Sequence, residues 1–114
     1  MPNRGEIWLV DLEPKRGTEP GKTRPVLIIQ AQALLDAHHP STLIVPLTTN
    51  LVNDAEPLRL RVGATDRLRR ESDLLIDQLR AIDNRRLIQG PLAKLPATLM
   101  RHVDQAVKEV LGID

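Results

Sequence analysis

The chain has no cysteine, no phenylalanine and no tyrosine, and Trp8 is its entire aromatic complement. Without cysteine there is no disulfide, no thiolate nucleophile and no thiolate ligand, a composition that suits a reducing compartment. A zinc site would have to draw on His38, His39 and His102. Neighbours on a helix or strand point in different directions, so His38 and His39 cannot grip one ion as an i, i+4 pair does. They read as an exposed turn before Pro40, and His102 as a surface position on a helix. An excess of one charge is missing too. The formal net charge is +1, so attraction to a polyanion has to come from clustering of the 16 Lys and Arg on one face. No apolar run approaches the ~20 residues that cross a bilayer. The opening MPNRGEIWLVDL lacks the basic start and apolar stretch of a secretory signal, and the expectation is a cytoplasmic protein.

What remains is an ordinary globular composition, 41% hydrophobic and 27% charged over 114 residues, and it predicts a single domain spanning 1–114. GEIWLVDLEP reads as a strand stopped at Pro14, and the stretch from Pro14 to Thr23, punctuated by Gly17, Pro20 and Gly21, as a loop. In RPVLIIQ, Pro25 holds Arg24 extended and suits the start of a strand, with Val26 to Ile29 buried on both faces. AQALLDAHHPST has Ala31, Leu34 and Leu35 at helical spacing but is cut to a turn or two by Pro40. TLIVPLTTN reads as a strand in which Pro46 marks a sheet edge or a bulge.

LRLRV alternates cleanly, with Leu58, Leu60 and Val62 inward and Arg59 and Arg61 outward. In SDLLIDQLRAIDNRRLI the spacing of Leu75, Leu79 and Ile82 points to a helix. The stripe Leu99, Val103, Ala106, Val107, Val110 and Leu111 predicts a final amphipathic helix of about four turns, with Pro96 in its first turn and Gly112 just past its end.

Gly17, Gly21, Lys22 and Thr23 imitate a phosphate loop, but the spacing is one residue short and the segment runs into a strand rather than a helix, so no nucleotide site is assigned. The placement of Arg24 has two readings. It forms a structural ion pair with Glu19, or it presents a planar fork to a phosphate. Thr48 and Thr49 sit at the end of a strand, where alternation lets at most one join Arg24. The runs RLRRE at Arg67 and NRR at Arg85 and Arg86 read as solvated surface unless they line up with Arg24, in which case they form a track for phosphates.

RGEIWLVDLEP, GTEPGKTRPVLII, LIVPLTTN and DQLRAIDNRRL, in that order, resemble the MazF/PemK toxins of bacterial toxin–antitoxin modules. The similarity covers nearly the whole chain, and its most specific part is G-[ST]-E followed by R-P and an apolar strand. The resemblance implies a mainly β fold, an SH3-like, partly open barrel with short helices and a terminal helix, acting as a symmetric homodimer. By the same resemblance Leu74 to Ile82 is a barrel strand. It further implies an endoribonuclease that needs no metal or other cofactor, cuts single-stranded RNA, usually mRNA, to 2′,3′-cyclic phosphate and 5′-hydroxyl ends, and is neutralised by a MazE-like antitoxin. The catalytic set then comprises Arg24, Thr49 and Glu19. Lys22, Thr48, Ser72 and Gln78 are expected to contact RNA.

Such cleavage makes the ribose 2′-hydroxyl the nucleophile and leaves the protein to stabilise a phosphorane and move two protons. Arg24 suits the charge, and Thr49 a hydrogen bond to a non-bridging oxygen. Glu19 either accepts the 2′ proton or orients Arg24, since an arginine is a poor base at neutral pH. Trp8 opens the first strand and reads as core, so base recognition falls to arginine planes and polar groups such as Gln78. Two other readings share the fold: a gyrase-binding toxin of the CcdB kind, echoed in part by Leu111-Gly112-Ile113, and an inactive barrel that only binds partners.

Overall fold

The computed structural model describes residues 1–12, 17–18 and 22–114. Its chain builds β1 (Glu6–Asp11), β2 (Thr23–Ile28), a short helix α1 (Gln32–Asp36), β3 (Ser41–Thr48), β4 (Arg59–Val62), β5 (Ser72–Leu75), β6 (Arg80–Asp83), β7 (Leu87–Lys94) and α2 (Ala97–Leu111). Among the described residues the strands form one antiparallel sheet in the order β4-β5-β3-β2-β1-β7, with β6 also paired to β3. The sheet curls without closing, an SH3-like, partly open barrel.

β3 holds this shape because it changes partner along its length. Residues Ser41 to Ile44 pair with β6, whereas Leu47 and Thr48 pair with β5. Pro46 falls in the gap between them. It is therefore not at a sheet edge, but it sits where neither partner calls for the N–H that proline lacks.

The curl buries both faces of the central strands. Ile7, Leu27, Val45, Leu47 and Leu74 pack with Met100, Val103 and Ala106 of α2, while Val10, Val26, Ile28 and Ile44 pack with Leu35 of α1 and Ile82 of β6. Adjacent residues of β2, Val26 and Leu27, thus serve opposite cores, which is why RPVLII is apolar without alternating. Trp8 is half-buried against the second core and donates from Nε1 to Glu6 at 3.0 Å. Gly90 makes room for it, since a Cβ there would lie 2.3 Å from the indole ring.

Several expectations are corrected. The helix expected over Ser72–Ile88 is instead β5 and β6 broken by a 3-10 turn at Ile76–Gln78, then a second such turn at Asn84–Arg86 leading into β7, and the first turn itself produces the spacing of Leu75 and Leu79. For the same reason Leu74 to Ile82 is not one continuous strand. Leu58 lies outside β4 and is 50% exposed, although Leu60 and Val62 are buried as the alternation requires. In α2, Pro96 is the N-cap residue, Met100 joins the buried stripe and Leu111 is exposed, while Gly112 adopts the left-handed conformation (φ 72°) that ends the helix. Among the described residues no helix is long and apolar enough to cross a membrane.

Candidate active site

Arg24 occupies the point where a buried row of β2 reaches the rim. Val26 and Ile28, on its face of the strand, are fully buried, but Arg24 itself is half-exposed and its Nη1 donates to the carbonyl of Leu47 at 3.2 Å. β2 and β3 pair Val26 with Pro46 and Ile28 with Ile44. Carried two residues further, that register sets Thr48 beside Arg24 on one face.

A cavity of about 400 Å³ opens at this rim, lined by Arg24, Thr48 and Thr49 together with Ser72 and the arginines Arg67, Arg69 and Arg70. Both threonines reach it. Thr48 is the last residue of β3, so strict alternation lapses at Thr49 and the expectation that only one could join Arg24 does not hold. The Thr48 hydroxyl oxygen accepts the Asn50 amide at 3.2 Å, which leaves its proton available to a ligand.

The arginine run lines up with Arg24 because the β4–β5 connection is tacked to β7. Leu68 is buried, the Arg67 amide donates to the Leu92 carbonyl at 2.8 Å, and the Arg67 guanidinium donates to the carbonyl of Pro91. Ser72 is 2% exposed and its hydroxyl donates to the Arg70 carbonyl at 2.9 Å, a contact that shapes the arginine loop. The other basic run behaves differently. Arg85 pairs with Asp83 at 2.9 Å, and Arg86 donates to the carbonyl of Asp11, the cross-strand partner of Thr23, at 3.1 Å; neither lines the cavity, although Arg86 lies near the row Leu87, Val10 and Arg24.

Of the remaining expected site residues, Gln78 is half-buried in the Ile76–Gln78 turn and Lys22 is exposed with φ 64°; neither lines the cavity. Glu19 lies outside the described residues, as does most of the loop that carries it. Among the described residues no three His, Asp or Glu side chains gather to hold a metal ion, and His38, His39 and His102 are all exposed.

A second cavity, of about 580 Å³, lies beyond Thr49 and is lined in part by Asn53, Arg59, Arg61 and Asp73. Asp73 was not singled out by the sequence. Its side chain is 1% exposed, with Arg61 Nε at 2.6 Å and Arg59 Nη1 at 3.3 Å. Burial pushes its carboxyl pKa up, but the bonds from Arg61, the Val52 amide and Arg59 outweigh that, and the pKa falls below the usual carboxylate value. The available signal was a lone carboxylate at the head of DLLI, opposite the outward arginines of LRLRV.

The sequence model of the PemK-like, MazF-like toxins of type II toxin–antitoxin systems matches residues 3–111. Among solved structures, MazF (Form-I) from Deinococcus radiodurans superposes with a TM-score of 0.81 at 23% identity, over 98% of this chain and 97% of that one. The Mycobacterium tuberculosis toxin MazF-mt6 gives 0.78 at 22% identity over 96% and 98%. An endoribonuclease from a mycobacterial species, solved in complex with its cognate antitoxin, gives 0.71 at 22% identity over 99% and 95%. At such identities the likeness is one of fold.

Proposed function

The chain belongs to the PemK-like, MazF-like toxins of type II toxin–antitoxin systems, and on that premise we propose that it is an endoribonuclease that cuts single-stranded RNA at the cavity around Arg24. The observation that carries this reading is the shared rim: Arg24, both threonines and three further arginines line one open cavity. A concentration of guanidinium groups on a chain of net charge +1 is what recognition of a polyanionic backbone requires.

In the proposed reaction the 2′ oxygen attacks the adjacent phosphorus, the bond to the 5′ oxygen breaks, and that oxygen takes up a proton from solvent, leaving a 2′,3′-cyclic phosphate and a 5′-hydroxyl. Negative charge builds on the non-bridging oxygens during the attack. Arg24 is held by the Leu47 carbonyl, so its fork needs little reorganisation to receive that charge. A threonine hydroxyl donates to the same oxygens. The register favours Thr48, which shares Arg24's face, while Thr49 stands one residue past the strand in the same cavity. Glu19 is the carboxylate proposed to take the 2′ proton or to orient Arg24. Arg67, Arg69 and Arg70 hold neighbouring phosphates, with mRNA in the cytoplasm as the substrate. The chain acts as a homodimer, and an acidic antitoxin segment of the MazE kind covers the arginines.

The test is a cleavage assay on a fluorescent single-stranded RNA with wild type and Arg24→Ala. Cleavage by wild type and its loss in a folded Arg24→Ala variant are expected. Equal cleavage by both would remove Arg24 from the mechanism, and gyrase inhibition without cleavage would favour a protein-binding toxin.

A further inference from the structure

The segment that follows the site threonines has no regular structure and little apolar anchorage. Asn50 to Leu58 forms turns and irregular chain, and Leu51 and Val52 are 37% and 46% exposed. What holds it is polar. The Val52 amide donates to Asp73 Oδ2 at 2.9 Å, Arg59 Nη1 donates to the Asn50 carbonyl at 2.9 Å, and Arg61 Nη2 donates to Asn53 Oδ1 at 2.9 Å. Both arginines also rest on Asp73, at 3.3 Å through Arg59 Nη1 and 2.6 Å through Arg61 Nε. One buried carboxylate therefore anchors these three bonds on the turn leaving Thr49, beside the bond from the Asn50 amide to the Thr48 hydroxyl.

The ladder supplies the geometry. Asp73 is the cross-strand partner of Thr48 on one side and of Arg61 on the other, so Thr48, Asp73 and Arg61 stand in a row across β3, β5 and β4. Stability alone gives a weak account of the trio, because packed apolar side chains would serve as well as a desolvated ion cluster. Fixing a backbone is what such a cluster does better, and the backbone it fixes starts one residue after the hydroxyls of the cavity.

We propose that Asp73, acting through Arg59 and Arg61, is a positioning residue that sets Thr48 and Thr49 against the phosphate held by Arg24. This rests on the nuclease reading above. Asp73→Asn keeps the shape and removes the charge, and Arg59→Ala releases the Asn50 carbonyl from the half-exposed side without unpacking the interior.

The experiment combines amide hydrogen exchange with steady-state cleavage of a single-stranded RNA oligonucleotide, using the full chain. In both variants exchange at Asn50–Asn53 is expected to quicken at least tenfold while amides of β1 and β2 are unchanged, and kcat to fall at least tenfold with KM within about twofold. Unchanged kcat with a loosened turn would overturn the proposal, as would unaltered exchange. A raised KM with unaltered kcat would also overturn it, by making these arginines direct contacts to RNA. Should Asp73→Asn fail to fold, Arg59→Ala decides the matter alone. A wild-type chain that cuts no RNA sinks the nuclease reading instead, and the exchange arm still decides whether Asp73 holds the turn.

Discussion

Thr48 and Asp73 face each other across the ladder between β3 and β5, the hydroxyl at the rim of one cavity and the carboxylate at the wall of another. The two cavities are thus joined by one rung of sheet. If the cavity at Arg24 binds phosphate by charge, affinity for single-stranded RNA will fall linearly with salt on logarithmic axes. Removing Arg69 or Arg70, which are exposed at its edge, is expected to reduce the slope by about 0.7 each. Fluorescence anisotropy across a salt series measures this, and a slope unchanged by both substitutions would separate these arginines from the backbone.

Thr48→Ala and Thr49→Ala assign the hydroxyl. Loss of a single donor to a developing oxyanion typically lowers kcat by about 10²–10³. The register predicts that loss for Thr48→Ala and a smaller effect for Thr49→Ala, with thermal midpoints close to wild type because both side chains reach the surface. Single-turnover cleavage checks the assignment.

Much of this frame was legible in the sequence, for stated physical reasons. The apolar run after Arg24-Pro25 announced a doubly buried strand, although β2 begins at Thr23 and ends at Ile28, one residue short of the expected run, and the stripe of α2 with Gly112 announced a capped terminal helix. The segment from Ser72 to Asp83 was not legible. A 3-10 turn of three residues shifts the phase between two strands, so neither a period of two nor one of 3.6 describes it. The arginines of RLRR gave no hint of their common rim because Leu68 and the bond from Arg67 to Pro91 place them. Asp73 stayed hidden because its partners lie on another strand and in an irregular turn.

Gly90→Ala tests the contact that seats Trp8. The added Cβ would lie 2.3 Å from one indole carbon and 2.5 Å from a second. The ring or the strand has to shift. A loss of about 1–3 kcal/mol is expected from such overpacking, read from the denaturant midpoint together with a change in tryptophan fluorescence. Unaltered stability and emission would mean that the ring has room to move.

Acid stability carries the mark of Asp83. Hydrogen bonds from the Arg85 side chain and amide lower its pKa from 3.8 to about 2. A carboxyl whose folded pKa is depressed adds stability that is present above its ordinary value and is lost as pH falls through the folded one. Thermal midpoints of wild type should therefore decline between about pH 4 and pH 2, and Asp83→Asn should flatten part of that decline. Asp73 has a depressed pKa as well, so some slope must survive in the variant. Superimposable profiles for wild type and Asp83→Asn would show that the pair contributes nothing.

The most direct test of the nuclease reading is the chemistry of the cut ends. Mixed-sequence single-stranded RNA is incubated with the full chain in EDTA, and the fragments are mapped and their termini identified. A 2′,3′-cyclic phosphate on one fragment and a 5′-hydroxyl on the next, absent with Arg24→Ala, is the predicted result. Intact RNA, or fragments ending in a 5′-phosphate, would contradict an attack by the ribose hydroxyl at the cavity of Arg24.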